Sequence, residues 1–283
     1  MKAISDYHVH TSASHCCKEH YGPIDAWNVA RERGIEYLGI TDHDVPFKNG
    51  YLQSHERAVK GKTGLLLGLE VSIRDEQGRI QVAKRDLERL DYVLLAEHVH
   101  IMPTWMFLRK GRKAFAAWWR DPAKQHLVEK YYERHSRMTC LALERNRVDV
   151  LAHPWRFPWH QGILDKASLQ ATERVVRVVL KKGVKIEVSR AVLNLVRHDV
   201  EHVNERLAVL SAFPPWKGCL DHEILPPAAF FRAYFEMCQQ LGATFTLGSD
   251  AHKLADIGQF GNIDAVLLAT GLREKSIVQT LKE

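Results

Sequence analysis

The sequence predicts an α/β fold built from successive βα units around a parallel sheet. Two observations predict it: seven short apolar, β-branched runs, and longer stretches of helical period between them. The runs cover residues 3–9, 35–40, 65–71, 92–96, 148–152, 184–188 and 243–247. A third observation concerns what such a fold carries, because six of the seven runs lead into His, Asp or Glu.

Between the first two runs, residues 24–33 have Pro23 at their start and Gly34 just past their end, the punctuation of a helix. Further on, Val128, Tyr131, Tyr132, His135, Met138 and Ala142 recur every three or four residues. Residues 169–180 end near Gly183, and the stripe Phe230, Phe231, Tyr234, Phe235, Cys238, Leu241 stops at Gly242. Such stripes are helix faces that pack on a barrel or sheet. Residues 75–79, with Gly78, read as the tight turn of a small hairpin joining 65–73 to 80–83. Segments 101–125 and 194–227, the second containing Pro214, Pro215, Pro226 and Pro227, exceed an ordinary βα connection. No Pro/Gly/Ser-rich linker and no internal repeat divides the chain, so both are expected as insertions in one domain spanning 1–283.

The chain has 283 residues, 46% hydrophobic and 26% charged, which excludes disorder, collagen and coiled coil. No signal-peptide core and no run of about 18 apolar residues is present, which argues against secretion and membrane insertion. Five cysteines, an odd number with Cys16 beside Cys17 and no CxxC pair, fit a reduced cytoplasm better than a disulfide framework. A net charge of +6 and a pI near 9.0 point to an anionic partner, either a phosphorylated small molecule or nucleic acid. Nothing in the sequence speaks to oligomeric state.

The strand ends carry His8-Val-His10, Thr41-Asp42-His43-Asp44, Glu70, His98, His153-Pro154 and Ser249-Asp250-Ala251-His252. In a parallel βα fold these ends converge on one face, where sites are built. Side chains alternate along a strand, so His8 and His10 point the same way, and Asp250 and His252 repeat that spacing. A single HxH is weak evidence; the joint placement carries the reading. Oxygen and imidazole donors suit an open zinc, manganese or iron site. His8, His10, His15, His43, Glu70, His98, His153, Asp250 and His252 are too many for one tetrahedral ion. With a bridging carboxylate they would serve two or three divalent ions, which activate a water near neutral pH and clamp phosphoryl oxygens.

This order of HxH, TDHD, a glutamate after Gly-Leu, a histidine beyond Asp-Tyr-Val-Leu-Leu, HP and SDAH resembles the PHP (polymerase and histidinol phosphatase) metallophosphoesterases, from Asp6 to His252. The resemblance implies a distorted (β/α)7 TIM-like barrel and a trinuclear metal centre. His8, His10, Glu70 and Asp250 would hold one ion; Glu70 would bridge to a second on His98 and His153; His15, His43 and His252 would take the third. His100 rivals His98 and His20 rivals His15, while Cys16 or Cys17 offers a thiolate alternative. Asp42 would lie near the metals, orienting an imidazole or handling a proton, or else would cap a helix. The implied reaction is phosphomonoester hydrolysis by a metal-bridging hydroxide without a covalent intermediate. Histidinol phosphate is the family substrate suited to a lone chain of this size, which would place the protein in histidine biosynthesis.

Arg156 and Arg190, and secondarily Lys253, are placed to clamp phosphate oxygens, which a guanidinium matches with two parallel bonds. Segment 105–120 interleaves Arg109, Lys110, Arg112, Lys113 and Arg120 with Trp105, Phe107, Phe115, Trp118 and Trp119. It reads either as an amphipathic lid or as a groove for nucleotide or short nucleic acid. Nucleotide phosphatase or exonuclease activity is therefore the alternative enzyme reading, and a non-catalytic metal-binding module the alternative of another class.

Overall fold

The computed structural model describes residues 1–44, 50–98, 121, 123, 125–155, 159, 164–201 and 225–281. Seven parallel strands follow one another in sheet order, from β1 (Ser5–Val9) through β2 (Tyr37–Ile40), β3 (Leu65–Ser72), β4 (Tyr92–Ala96), β5 (Val150–Leu151) and β6 (Lys185–Ser189) to β7 (Phe245–Gly248). Each predicted run yields its strand. The ring is nearly closed: His10 N–H donates to the Ala251 carbonyl at 2.9 Å, and Ala251 N–H to that of His8 at 3.3 Å. The expected (β/α)7 barrel is borne out.

Helices form where the periodicity places them. Helix α1 (Pro23–Glu32) opens on Pro23, with Asp25 accepting the Gly22 N–H at 2.9 Å. Helix α2 (Tyr51–Val59) follows β2, and a short α3 (Lys84–Leu87) precedes β4. Helix α4 (Gln125–Arg145) buries Val128, Tyr131, Tyr132, His135, Met138 and Ala142, the predicted stripe. It packs against α5 (Lys166–Lys182), whose N-cap Asp165 accepts the Ser168 N–H at 2.9 Å and whose C-cap Gly183 is left-handed at φ 69°. Helices α6 (Arg190–Glu201), α7 (Pro227–Leu241) and α8 (Ile263–Thr270) complete the outer layer. Among the described residues no helix is long and apolar enough to cross a membrane.

One expectation needs correction. The turn at 75–79 exists, with Arg74 N–H donating to the Arg79 carbonyl at 2.8 Å, but 80–83 is not a strand, so there is no hairpin. Apolar Ile80 and Val82 pack on the core from irregular backbone instead. Residues 99–120 and 202–224, which hold most of the two expected insertions, lie outside the described residues, and α6 covers the first residues of the second insertion.

Period-two alternation sorts the strands into two layers. Leu65, Leu67, Leu69 and Val71 of β3 face the helices, whereas Leu66 joins Tyr7, Tyr92, Leu94, Ala96, Val150 and Ala152 in a separate cluster that fills the barrel. Tyr92 occupies the middle of that filling: its hydroxyl donates to the Tyr7 carbonyl at 2.7 Å, and the two rings meet edge to face at 5.8 Å. Gly39 and Gly68 make room for it, since a Cβ at either would overlap the Tyr92 ring or hydroxyl. Gly39→Ala is therefore expected to destabilise the protein by about 3 kcal/mol, at the upper end of overpacking costs. Urea denaturation of the Gly39→Ala, Tyr92→Phe and double variants checks this, because removing the hydroxyl should recover part of the loss.

Candidate metal centre

The same alternation places Glu70 inward at the mouth of the barrel, two residues beyond Gly68. Its flanking backbone is tied to the residues after β2, with Glu70 N–H donating to the Asp42 carbonyl at 3.1 Å and Asp44 N–H to that of Glu70 at 3.2 Å. This pairing carries His43 alongside the carboxylate. His8 Nε2, His98 Nε2 and His153 Nε2 lie 3.5, 3.3 and 2.8 Å from Glu70 Oε1. His43 Nδ1 and His10 Nε2 lie 2.8 and 3.6 Å from Oε2. Five imidazoles thus surround one fully buried carboxylate. Asp250 adds a second, 3.2 Å from His10 Nε2 and 3.5 Å from His8 Nε2. Burial disfavours both anions, but the surrounding imidazoles prevail, chiefly His98 and His8 for Glu70 and His8 and His10 for Asp250, and hold both well below the usual carboxylate range.

Four of the rings, His8, His10, His98 and His252, have a partner on Nδ1 behind them. His8 Nδ1 sits 2.7 Å from Glu187 Oε1. His10 Nδ1 sits 3.0 Å from Ser14 Oγ, whose own proton goes to Asp42 at 2.6 Å, so the serine accepts from the ring. His98 Nδ1 sits 2.8 Å from Ser72 Oγ, and Asp44 accepts the Ser72 N–H at 3.1 Å. His252 Nδ1 donates to the Asp250 carbonyl at 2.8 Å. These bonds assign the proton to Nδ1 and turn the Nε2 lone pairs inward, the arrangement of metal-binding histidines. The Nε2 atoms of His8 and His10 consequently face each other at 3.2 Å. Glu70 Oε2 is buried and accepts no hydrogen bond although His43 Nδ1 is 2.8 Å away. Imidazole nitrogens and carboxylate oxygens packed 2.8 to 3.6 Å apart in one buried pocket are a donor set for cations, so the residues fit the divalent ions expected here.

Among the described residues the nitrogen, oxygen and sulfur donors gather in four overlapping groups: His8, His10 and Asp250; His8, Glu70 and His153; His43, Glu70 and His98; and His10, Cys16, His43 and His252. His15 joins none of them. It is exposed, with its ring centroid 5.5 Å from that of His43, and His20 is exposed as well. His100 lies outside the described residues. Burial opposes ionisation of the Cys16 thiol, but hydrogen bonds with His252 and His43 bring it down to about 6. Among the described residues the only non-glycine positive φ values are at His153 (23°), Trp155 (55°) and Asp250 (51°), two of them in the pocket.

Asp42 caps no helix among the described residues, since β2 ends at Ile40 and α2 begins only at Tyr51, with Gly50 before it. Its carboxylate accepts from Thr11 N–H and Oγ, both at 2.7 Å, and from Ser14 Oγ, and lies 2.9 Å from His55 Nε2. Burial alone would raise it; His55 and these donors bring it to about 2. A carboxyl depressed on folding adds stability above its unfolded value, and that stability is lost as pH falls through the folded one. Asp42→Asn in metal-free protein should therefore cost roughly 2 kcal/mol at neutral pH, with the gap closing between about pH 4 and pH 2. Denaturant midpoints measured across that range check it.

Arg190, the first residue of α6, is paired with Asp256 at 2.6 Å. Lys253 is exposed. Arg156 and the basic aromatic segment 105–120 lie outside the described residues. The sequence reading missed Glu187 and Arg74, as well as Ser14, Ser72 and His55, which hold His10, His98 and Asp42. Glu187, in the middle of β6, accepts the His153 N–H at 2.7 Å besides holding His8. Arg74 donates to Asp44 at 2.7 Å. For Glu187 the signal was present: an acid between apolar Ile186 and Val188 at inward parity.

Fold and pocket together define a seven-stranded parallel barrel with a buried histidine and carboxylate cluster at the C-terminal mouth. Residues 6–191 match the PHP domain, and the chain belongs to the PHP domain family. A probable phosphatase of Shewanella piezotolerans is 25% identical over 277 residues, 95% of this chain and 86% of that protein. One from Aeromonas salmonicida is 26% identical over 270 residues, 92% of this chain and 82% of that protein. The structure of histidinol phosphate phosphatase from Lactococcus lactis, complexed with zinc, L-histidinol and phosphate, superposes with a TM-score of 0.56 at 15% identity, covering 97% of this chain and 94% of that one.

Proposed function

We propose that this chain is a phosphomonoesterase that works with two to three divalent ions, zinc, manganese or iron, on a small phosphorylated substrate of the histidinol phosphate type. The observation that carries the reading is Glu70, a buried carboxylate with imidazoles from four other strand ends converging on its two oxygens. His8, His10 and Asp250 would hold one ion, with Glu70 shared toward His153 and toward the His43 and His98 side. When bound, such ions lower the pKa of a water and neutralise phosphoryl oxygens.

The protein's own groups set the conditions for that chemistry. Glu70 and Asp250 supply negative charge that keeps the cations in place, and the Nδ1 partners Glu187, Ser14 and Ser72 keep the rings turned inward. Asp42 acts through Ser14 as a positioning residue, because its oxygens are already taken by Thr11, Ser14 and His55. Arg156 remains the proposed clamp for the non-bridging phosphate oxygens, with Arg190 at the rim, where Asp256 holds its guanidinium.

A substrate panel tests this. Histidinol phosphate, nucleoside bisphosphates and short 5'-phosphorylated oligonucleotides are assayed with manganese, zinc and iron. Turnover is expected on the small monoester. Preference for the oligonucleotide, weakening steeply with salt, would move the assignment to a nuclease, and metal content without turnover on any of them would overturn it.

A further inference from the structure

We infer that Cys16 is a thiolate ligand of one of the metal ions, making a mixed sulfur and nitrogen site with His252 and the ring of His43. The inference rests on the metal-centre reading above and adds a donor of a different chemical class to it.

Sharing among the groups makes the cysteine necessary. One donor atom from each of His10, Cys16, His43 and His252 lies within 4.8 Å of the others. A ring nitrogen serves one ion, and His10 is already committed toward His8 and Asp250, while His43 Nδ1 faces Glu70. Cys16 and His252 are the two donors that belong to this group alone. Without the sulfur, His252 would have only borrowed partners. With it, Cys16, His252 and His43 make three ligands and leave a fourth position open, the layout of a reactive rather than a structural site. Bond lengths of about 2.3 Å to sulfur and about 2.0 Å to nitrogen put tetrahedral donors roughly 3.3 to 3.5 Å apart, inside the 4.8 Å that bounds the separations of this group.

Position supports the same reading. The loop after β1 is pinned by Thr11 and Ser14 to Asp42, and Ser14 N–H and Cys17 N–H make successive turn bonds to Thr11 and Ser14 carbonyls, each at 3.0 Å. That curl turns His15 to solvent and Cys16 to the pocket. Cys17 Sγ contacts the backbone carbonyls of Glu19 and His252, at 3.5 and 3.3 Å, and falls in none of the four donor groups. A thiolate favours zinc or ferrous iron over magnesium and manganese, so this position should be the thiophilic one of the cluster.

Cobalt(II) reports the bond directly, because thiolate ligation produces an intense near-ultraviolet charge-transfer band that nitrogen and oxygen ligands do not. The purified full-length chain is loaded with cobalt and its spectrum recorded with its metal content. In parallel, iodoacetamide labelling of Cys16 is followed by mass spectrometry with and without zinc. The band is expected in the wild type and in Cys17→Ser, and absent in Cys16→Ser, which should bind that ion about 100-fold more weakly or worse. Cys16→His should recover metal content without the band, which separates loss of a ligand from loss of the fold. Zinc should protect Cys16 from alkylation. Full metal content with no band and no protection would overturn the thiolate assignment and leave the metal centre standing. Failure of the wild type to bind any divalent ion would overturn both.

Discussion

Glu70→Gln is expected to lose bound metal and phosphatase activity together, with kcat/KM falling by at least about 1000-fold, the scale of the several kcal/mol that metal ions supply to such reactions. The reason is electrostatic and geometric at once. Both oxygens of Glu70 face imidazole nitrogens, Oε1 toward His8, His98 and His153 and Oε2 toward His10 and His43. An amide keeps one acceptor, removes the charge, and aims an N–H pair at ring lone pairs. The strand itself should survive, since its apolar side chains Leu65, Leu67, Leu69 and Val71 pack on the opposite face. Metal content by mass spectrometry, turnover and circular dichroism on the same sample decide the matter. Normal metal with near wild-type turnover would remove Glu70 from the centre.

Glu187→Gln should have the next largest effect, a loss of about 10- to 100-fold in metal affinity or activity, as is usual when the group behind a ligand imidazole is changed. Glu187 meets two donors at 2.7 Å, the His8 ring and the His153 main-chain N–H, so it aligns ligands of two strands with one side chain. Glutamine has one oxygen for two donors, and one of them goes unmet in a buried place. The deficit should shrink as metal concentration rises, because the ligands themselves are intact. Gly248→Ala offers an independent route, since a Cβ there would overlap the Glu187 carboxylate and crowd His8. A Glu187→Gln enzyme with unchanged metal titration would show that His8 needs no such support.

Much of this pocket was legible from spacing. His8 and His10 were read together from their i, i+2 spacing, and Glu70 and Asp250 from their places at strand ends. Glu187 obeys strand alternation and was passed over because it precedes the strand end rather than following it. His153 does not obey it: Leu151 of β5 faces the helices, and strict alternation would send His153 the same way. A positive φ of 23° there interrupts the extended path, and its Nε2 arrives 2.8 Å from Glu70. The choice between His15 and Cys16 was equally beyond spacing, since it depends on how Asp42 and Ser14 curl the loop.

The sequence by itself determined the number and order of the strands, the helices between them, and the side chains available at the mouth, because these follow from periodicities of two and 3.6 residues that any stretch of chain carries locally. Only the tertiary structure decided which of those side chains meet. His10 and Asp250 stand 3.2 Å apart at opposite ends of the chain because β7 closes onto β1 through Ala251, and closure of a barrel belongs to all seven strands at once rather than to any of them.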